Sequence, residues 1–442
     1  MKNALLIAGC ATVVWVTARA QDNPLTLRDA VQLAMQKSHL IEASQAETDV
    51  QKARVAEAAS GSLPRVNYYE SWTRSNNPVF VFSSLLTQRQ FSEQNFAIGA
   101  LNRPDFLNNF QSRIVAEQTL FDAGQTRRVM EMAQKSASIS EESLRNRRMQ
   151  VTALVAKTYY DALLAAEQTK VSVAALRSAE ADLERATARR DAGFATDADV
   201  LSIRVHLAKT REENIQRKAD LEVAIAALNQ AIGLPLTTQH SLLTTLDERQ
   251  KADLNRSEER PEVRQARIAV DVAKLQRENA RAAFLPQVYL QGAFESDRQR
   301  FFNRAGQNWL ISAGLRWNLF NGFADRARIQ AATATGRKAA AEAAQAESQV
   351  NLEVRQATAA RNAAIERILT AKAAVDEARE SLRITQDRYA AGLVTVSDLL
   401  RTENALSEAK SRHAAALHAE RVATLALVYA SGTLNAASEV LN

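Results

Sequence analysis

The sequence predicts a mainly α-helical chain that also builds part of a membrane β-barrel: a tandem repeat of long helical hairpins, plus four β-strands per chain. Three observations lead there. The stretch DAGFATDADVLSIRVHLA around Gly193 returns as AAGLVTVSDLLRTENALS around Gly392, 199 residues later, and Leu120-Phe121-Asp122-Ala123-Gly124 returns as Leu319-Phe320-Asn321-Gly322 at the same offset. No proline interrupts Gly124 to Asp191 or Gly322 to Ala390. Finally, Trp309, Ile311, Ala313, Leu315, Trp317 and Leu319 alternate with a largely polar set, the period of a strand with two unlike faces.

The N-terminus sets the compartment. Lys2, an apolar run from Ala4 to Val16 and Ala18-Arg19-Ala20 before Gln21 read as a secretory signal peptide over residues 1–20. Ile7-Ala8-Gly9-Cys10 imitates a lipoprotein box, but too few apolar residues precede it for an ordinary leader. Cys10 is the single cysteine, so a chain starting at Gln21 has no disulfide, thiol nucleophile or thiolate metal site. The formal charge of +6 drops to +4 without Lys2 and Arg19, and the charges are interleaved, which excludes a nucleic-acid footprint.

After the leader, residues 21–236 form a first structural repeat: a helix from Leu27 to Ala59, a β-hairpin over 63–121 and a helical hairpin over 122–232. A polar linker follows over 237–260 and is expected to pack outside the helices as a minor mixed segment. The second repeat, 261–432, has a helix from Pro261 to Phe284, a β-hairpin over 285–321 and a helical hairpin over 322–431, with a tail over 433–442. Only 13 glycines and 7 prolines occur in 442 residues, as long helices require. Each proline-free stretch would make a helix ~100 Å long. Val155, Ala162, Thr169, Leu176 and Leu183 recur every seven residues, as do Ile368, Val375, Leu382 and Tyr389, so the helices are expected to supercoil with a left hand.

The strands carry the membrane argument. Alternation alone also fits a soluble hairpin half-buried on helices. Export and the Trp residues at both strand ends favour a lipid-facing strand, because aromatic girdles flank an apolar band ~25 Å tall in such barrels. The candidate girdle residues are Trp72, Trp309 and Trp317. Four strands cannot close a barrel, the smallest bacterial ones having about eight. Three copies giving twelve strands is the simplest cyclic solution.

The order of leader, helix, β-hairpin, very long helix, glycine turn and return helix, given twice, resembles the outer-membrane efflux protein family, the TolC-like outer membrane factors. Leu63-Pro64 and Leu285-Pro286 before the hairpins, the Leu-Phe-Asp-Ala-Gly and Leu-Phe-Asn-Gly junctions, and the two glycine tips carry the resemblance. It implies a homotrimer in the outer membrane whose helical hairpins form an α-barrel spanning into the periplasm, acting as a passive exit duct of a tripartite efflux pump or a type I secretion system. It implies as partners a periplasmic adaptor (membrane fusion) protein, an inner-membrane pump or secretion ATPase, and outer-membrane lipid. No cofactor and no enzymatic activity are expected: P-loop, HExxH and GxSxG motifs are absent, and His413 and His418, five apart, face different ways. The competing reading is a soluble periplasmic coiled-coil protein of structural or adhesive type.

Within that resemblance the candidate periplasmic gate is Asp199, Tyr389, Asp398 and Arg401. An acid at the position of Asp398 rings the family's constriction; after Thr395 it also suits helix capping. Arg401 stands where the family often has a second acid, so cation selectivity is expected to be weaker. A Tyr389 hydroxyl to Asp199 carboxylate bond is expected as part of the closed-state latch. The family's latch Arg is Val394 here, leaving Arg204, Arg388 or Arg401 as substitutes. The adaptor-docking tips are Gly193, Phe194, Ala195 and Thr196, with Gly392, Leu393, Val394 and Thr395.

Overall fold

The computed structural model describes residues 23–246, 258–302 and 304–441, so the leader, Cys10, much of the 237–260 linker and the final residue of the tail lie outside the described residues. In chain order the elements are β1 (Asn23–Leu25), α1 (Leu27–Lys37), α2 (His39–Ala59), β2 (Arg65–Ser75), α3 (Pro78–Thr87), α4 (Ile98–Asn102), β3 (Leu107–Phe121), α5 (Gln125–Asp191) and α6 (Asp197–Ile232). They continue with β4 (His240–Leu242), α7 (Pro261–Ala282), β5 (Gln287–Arg298), β6 (Gly306–Arg316), α8 (Ala324–Ala390) and α9 (Val396–Ala430). Two compact units share them: residues 42–147 with 259–352, and residues 1–41, 148–258 and 353–442.

The first unit holds a four-stranded antiparallel sheet in the order β2-β3-β5-β6. Register puts Val66, Tyr68, Trp72, Ile114, Leu290, Phe294, Trp309 and Ile311 on one face. Most of these apolar side chains are exposed, Trp309 at 76%. Asn67, Thr73, Asn109, Gln111, Gln291, Asp297 and Asn308 line the other face. Glu70 breaks the apolar pattern but is fully engaged: it accepts from the Tyr68 and Ser112 hydroxyls and, at 3.0 Å, from Arg298. β2 and β6 have no further strand beside them among the described residues, so the sheet ends in two open edges.

The β2–β3 connection is not a bare loop. Asn77 caps α3 through Val79 and Phe80, with Pro78 in the first turn where its missing N–H costs nothing. The end of α3 folds over the polar face: Gln88 donates to the Asn108 carbonyl and the Asn109 side chain, both at 2.9 Å, and Asn109 in turn donates to Asp297 at 2.7 Å. Gly306 lies directly under the Thr87 carbonyl, where a Cβ would come within 1.7 Å.

At the strand-to-helix junctions the chain reverses through left-handed pairs, Ala123-Gly124 (φ 54 and 76) and Gly322-Phe323 (φ 65 at both). Asp122 fills the cap role there, accepting from the Gly124 and Thr126 backbone N–H groups. Trp317 and Leu319, read from the sequence as strand, lie beyond the end of β6. Trp317 instead donates its indole N–H to the Phe284 carbonyl at 3.0 Å.

In the second unit the first helix differs from its sequence reading. Leu27 to Ala59 is two helices, because Ser38 is extended (ψ 115) and its N–H closes on Ala34. The break ends α1 after its buried face of Leu27, Ala30, Val31 and Ala34 is complete. Gly233, left-handed at φ 86, ends α6 and passes so close to Lys37 that a Cβ would lie 3.0 Å from its carbonyl. The described part of the linker pairs as a parallel strand, β4 against β1. Tyr159, fully buried, holds this corner by donating to the Leu25 carbonyl at 2.8 Å and meeting the Thr244 hydroxyl at 3.1 Å.

Truncating Tyr159 should therefore act through packing more than through its hydroxyl, since the Leu243 N–H still reaches the Leu25 carbonyl. Tyr159→Phe is expected to cost ~1 kcal/mol and Tyr159→Ala ~3–5 kcal/mol. Thermal unfolding in detergent would check this; equal losses in the two variants would refute the packing account.

Candidate functional site: the helical hairpin tips

Both tips are built by one local chemistry. α5 ends with Gly193 left-handed at φ 81, the Gly193 N–H bonded to the Arg190 carbonyl and the Phe194 N–H to the Arg189 carbonyl at 2.8 Å. α8 ends in the same way, with Gly392 at φ 75 and the Leu393 N–H on the Arg388 carbonyl at 2.9 Å. This is a Schellman-type stop, in which glycine escapes the left-handed penalty. Each return helix then opens with a reciprocal capping box. Asp199 and its own backbone N–H exchange bonds with Thr196, as Asp398 does with Thr395. Such a cap contributes roughly 1 kcal/mol. Phe194 is 77% exposed and Leu393 71%, while Ala195 and Val394 are half-buried.

Behind the tips Ala186, Val200, Ile203 and Val396 form a small buried core, with Leu183, Tyr389 and Leu400 packed on it. It joins α5, α6, α8 and α9.

The expected gate residues are found in specific roles. Asp398 accepts from Thr395 and, at 3.0 Å, from Arg401 Nη2. The Thr395 hydrogen bonds first, and the Arg401 charge after them, hold the Asp398 carboxyl below its ordinary range. The capping role and the Arg401 pairing thus operate together.

The expected hydrogen bond between Tyr389 and Asp199 is not formed among the described residues, because the Asp199 carboxylate is spent on Thr196. Tyr389 instead lies under the Arg189 guanidinium, 5.2 Å from ring centroid to Cζ. Arg189 also donates to the Ala390 carbonyl at 2.9 Å, so it ties the end of α5 to the end of α8. None of the three Arg substitutes named from the sequence makes this tie. No sequence signal pointed to Arg189, since its partners are about two hundred residues away.

A second group went unread in the sequence. Glu403 on α9 and Asp182 on α5 are buried, at 9% and 2% exposure, within hydrogen-bonding reach of each other. Ser178 donates to Glu403 Oε1 at 2.9 Å, and His206 Nε2 lies 3.9 Å from Glu403 Oε2. Burial first, and then Asp182, push the Glu403 carboxyl up to about 8. Burial pushes the His206 imidazole down.

The histidine pair on α9 splits: His418 meets Asp161 at 2.7 Å, and no group of His, Cys, Asp or Glu among the described residues is arranged to hold a metal. In the sheet, Trp72 packs tilted against Phe110 at 6.3 Å, and Trp309 stands opposite Phe294. Trp317 is at the helix end of β6, so the three indoles mark both ends of the apolar face.

Comparison with known proteins agrees with this architecture. The sequence profile described as outer membrane efflux protein matches residues 30–234 and 256–433. The chain is 25% identical to the alkaline protease secretion protein AprF of Pseudomonas aeruginosa, over 93% of this chain and 85% of that protein. It is 27% identical to CyaE of Bordetella pertussis, over 93% and 84%. Among solved structures it superposes on the outer membrane protein VceC of Vibrio cholerae with a TM-score of 0.78 at 19% identity, covering 92% of this chain and 96% of that one. The CmeC outer membrane channel of Campylobacter jejuni gives 0.80 at 16% identity, over 94% and 87%. A soluble coiled-coil rod would explain the helices but not the sheet with its exposed apolar face. The chain belongs to the outer membrane efflux protein family, with a transport role in the outer membrane.

Proposed function

We propose that three copies of this chain form a passive exit duct, with a twelve-stranded barrel in the outer membrane and the long helical hairpins forming an α-barrel in the periplasm. The observation that carries the reading is the sheet: four strands with one exposed apolar face and two open edges. Unpaired backbone groups cannot face hydrocarbon, so β2 of one copy must pair with β6 of the next. The apolar face then meets lipid, with Trp72, Trp309 and Trp317 at its borders, and the Asn109-Asp297 face lines the lumen. The β2–β3 connection, folded over that polar face, belongs at the outer mouth.

The helical hairpin tips carry the gate. Three copies bring three Asp398-Arg401 pairs around the axis, and a paired acid attracts cations less than a bare one. Arg189, holding the Tyr389 ring and the Ala390 carbonyl, serves as the latch that Val394 cannot supply. The exposed Phe194 and Leu393, each beside its glycine turn, are the docking points for a periplasmic adaptor, and an inner-membrane pump or secretion ATPase supplies the energy. The domain division read from the sequence, two repeats of 21–236 and 261–432 around the 237–260 linker, fits this duct as two quasi-equivalent walls per copy.

Extraction only by detergent, a mass of three chains and ion conductance in planar bilayers are the expected properties; a monomer that stays soluble without detergent would overturn the duct. In the same bilayers Arg189→Ala should raise single-channel conductance several-fold, while Tyr389→Phe, which keeps a ring under the guanidinium, should change it little. The reverse ranking would restore the hydroxyl as the latch. Arg401→Ala should move the reversal potential toward cation preference, and an unmoved potential would show that Arg401 does not shield Asp398.

A further inference from the structure

The cavity between the two helical hairpins has a volume of about 220 Å³ and is lined by α5 (Ala174, Ser178), α6 (His206), α8 (Leu382) and α9 (Glu403, Asn404). Glu403 stands at its wall with Asp182 behind it, and only Asp182 has a cationic partner, Arg185. Arg185 reaches Asp182 Oδ1 from a largely exposed position, and Ser178 serves Glu403 Oε1. Asp182 Oδ2 and Glu403 Oε2 are buried with no hydrogen-bond donor among the described residues. A buried acceptor left in that state costs ~1–3 kcal/mol, more when charged. Two facing carboxylates would also repel. One proton on the pair removes both problems, because a carboxylic O–H can donate to the opposing carboxylate.

We propose that Glu403 and Asp182 form a proton-dependent clamp between the two helical hairpins: a single shared proton holds α9 against α5, and its loss drives them apart. The clamp rests on the reading above that the tips carry the gate, and adds that separation of the hairpins opens it. It uses no bond other than this O–H···O contact. Glu403 lines the open cavity, so the proton exchanges with solvent through it.

The charged groups facing the pair fix the direction of the effect. Arg185 comes from α5, His206, Lys209 and Glu213 from α6, and Lys410 from α9; α8 contributes Leu382 and no charge to the cavity. Glu403 is held up to about 8 when packed, and returns to its ordinary 4.5 when the hairpins separate and water reaches it. A raised carboxyl pKa favours the packed state at low pH, and that preference is lost as pH rises toward 8. His206 works against it below its ordinary 6.5, since burial disfavours its charged form and the separated state takes that proton more readily. The two contributions oppose each other on the acid side. The net response is therefore concentrated between pH 6.5 and about 8. There the packed-to-separated ratio should fall by up to about tenfold per pH unit.

Spin labels on Ala174→Cys and Asn404→Cys, on α5 and α9, would read the separation in the full trimer from pH 6 to 9, with single-channel conductance measured in parallel. The distance should widen between pH 6.5 and 8 in the otherwise wild-type chain. It should stay short at every pH in Glu403→Gln, which keeps the neutral shape, and in Asp182→Asn, which serves if the first variant does not assemble. A distance independent of pH, or the same widening in Glu403→Gln, would overturn the clamp. Widening without any conductance change would keep the clamp and remove the reading that hairpin separation is the gate.

Discussion

A backbone N–H or C=O in hydrocarbon must find a partner within protein, and that requirement governs this chain more than any single contact. Its sheet satisfies the inner strands completely, through β2-β3, β3-β5 and β5-β6, and leaves β2 and β6 each with one unsatisfied edge. Eleven residues in each edge strand match the length of a tilted membrane strand, ~9–11 residues. Even the charge placed on the apolar face obeys the same rule: Glu70 is surrounded by Tyr68, Ser112 and Arg298. Pairing of the two open edges is thus a condition of the sheet existing in a bilayer at all.

The duplication survives in the structure with unusual regularity. α5 and α8 both have 67 residues, and their first and last residues are each 199 apart. The tips share their glycine stops and their Thr-Asp capping boxes because both are local chemistry that a copied sequence carries with it. What differs is what each copy meets. The first copy supplies Arg189 and Asp182, the second Tyr389, Arg401 and Glu403, and each contact described at the gate joins unlike partners from the two copies or makes one copy unlike the other.

That distinction also explains what could be read in advance. Gly193, Gly392, Thr395 and Asp398 were legible because a helix stop and a capping pair are written within seven residues. The alternation around Trp309 was legible for the same reason, though not its end: Trp317 continues the period but follows β6, since its indole finds the Phe284 carbonyl instead. Ser38 breaks a helix that the apolar pattern carries through, because the break serves the packing of α1, which periodicity does not report. Asp182 and Glu403 lie on helices crowded with acids and bases, where a charge is most often solvated. Only the crossing of α5 and α9 makes them a buried pair. Tyr389 and Asp199 were placed in the right neighbourhood but bonded wrongly, because the cap claimed the carboxylate first.

The ties across the tips are individually modest, and their number decides how the duct can work. A guanidinium over a ring contributes ~0.5–2 kcal/mol, and a charge-assisted hydrogen bond to a carbonyl ~1.5–3 kcal/mol. The small core around Ile203 and Val396 adds apolar burial in the same range per side chain, ~1.5–3 kcal/mol. In the proposed trimer, threefold repetition would make closure secure without any strong bond. Turning such a two-state element from 1:99 to 99:1 takes ~5.5 kcal/mol of differential binding, or roughly 2 kcal/mol from each of three equivalent docking events. An exposed aromatic such as Phe194, buried by a partner only in the open arrangement, is of that order. In the proposed duct, exposed apolar tips and weak, threefold ties would therefore be two halves of one device: the same symmetry that multiplies the latch would also divide the work of releasing it.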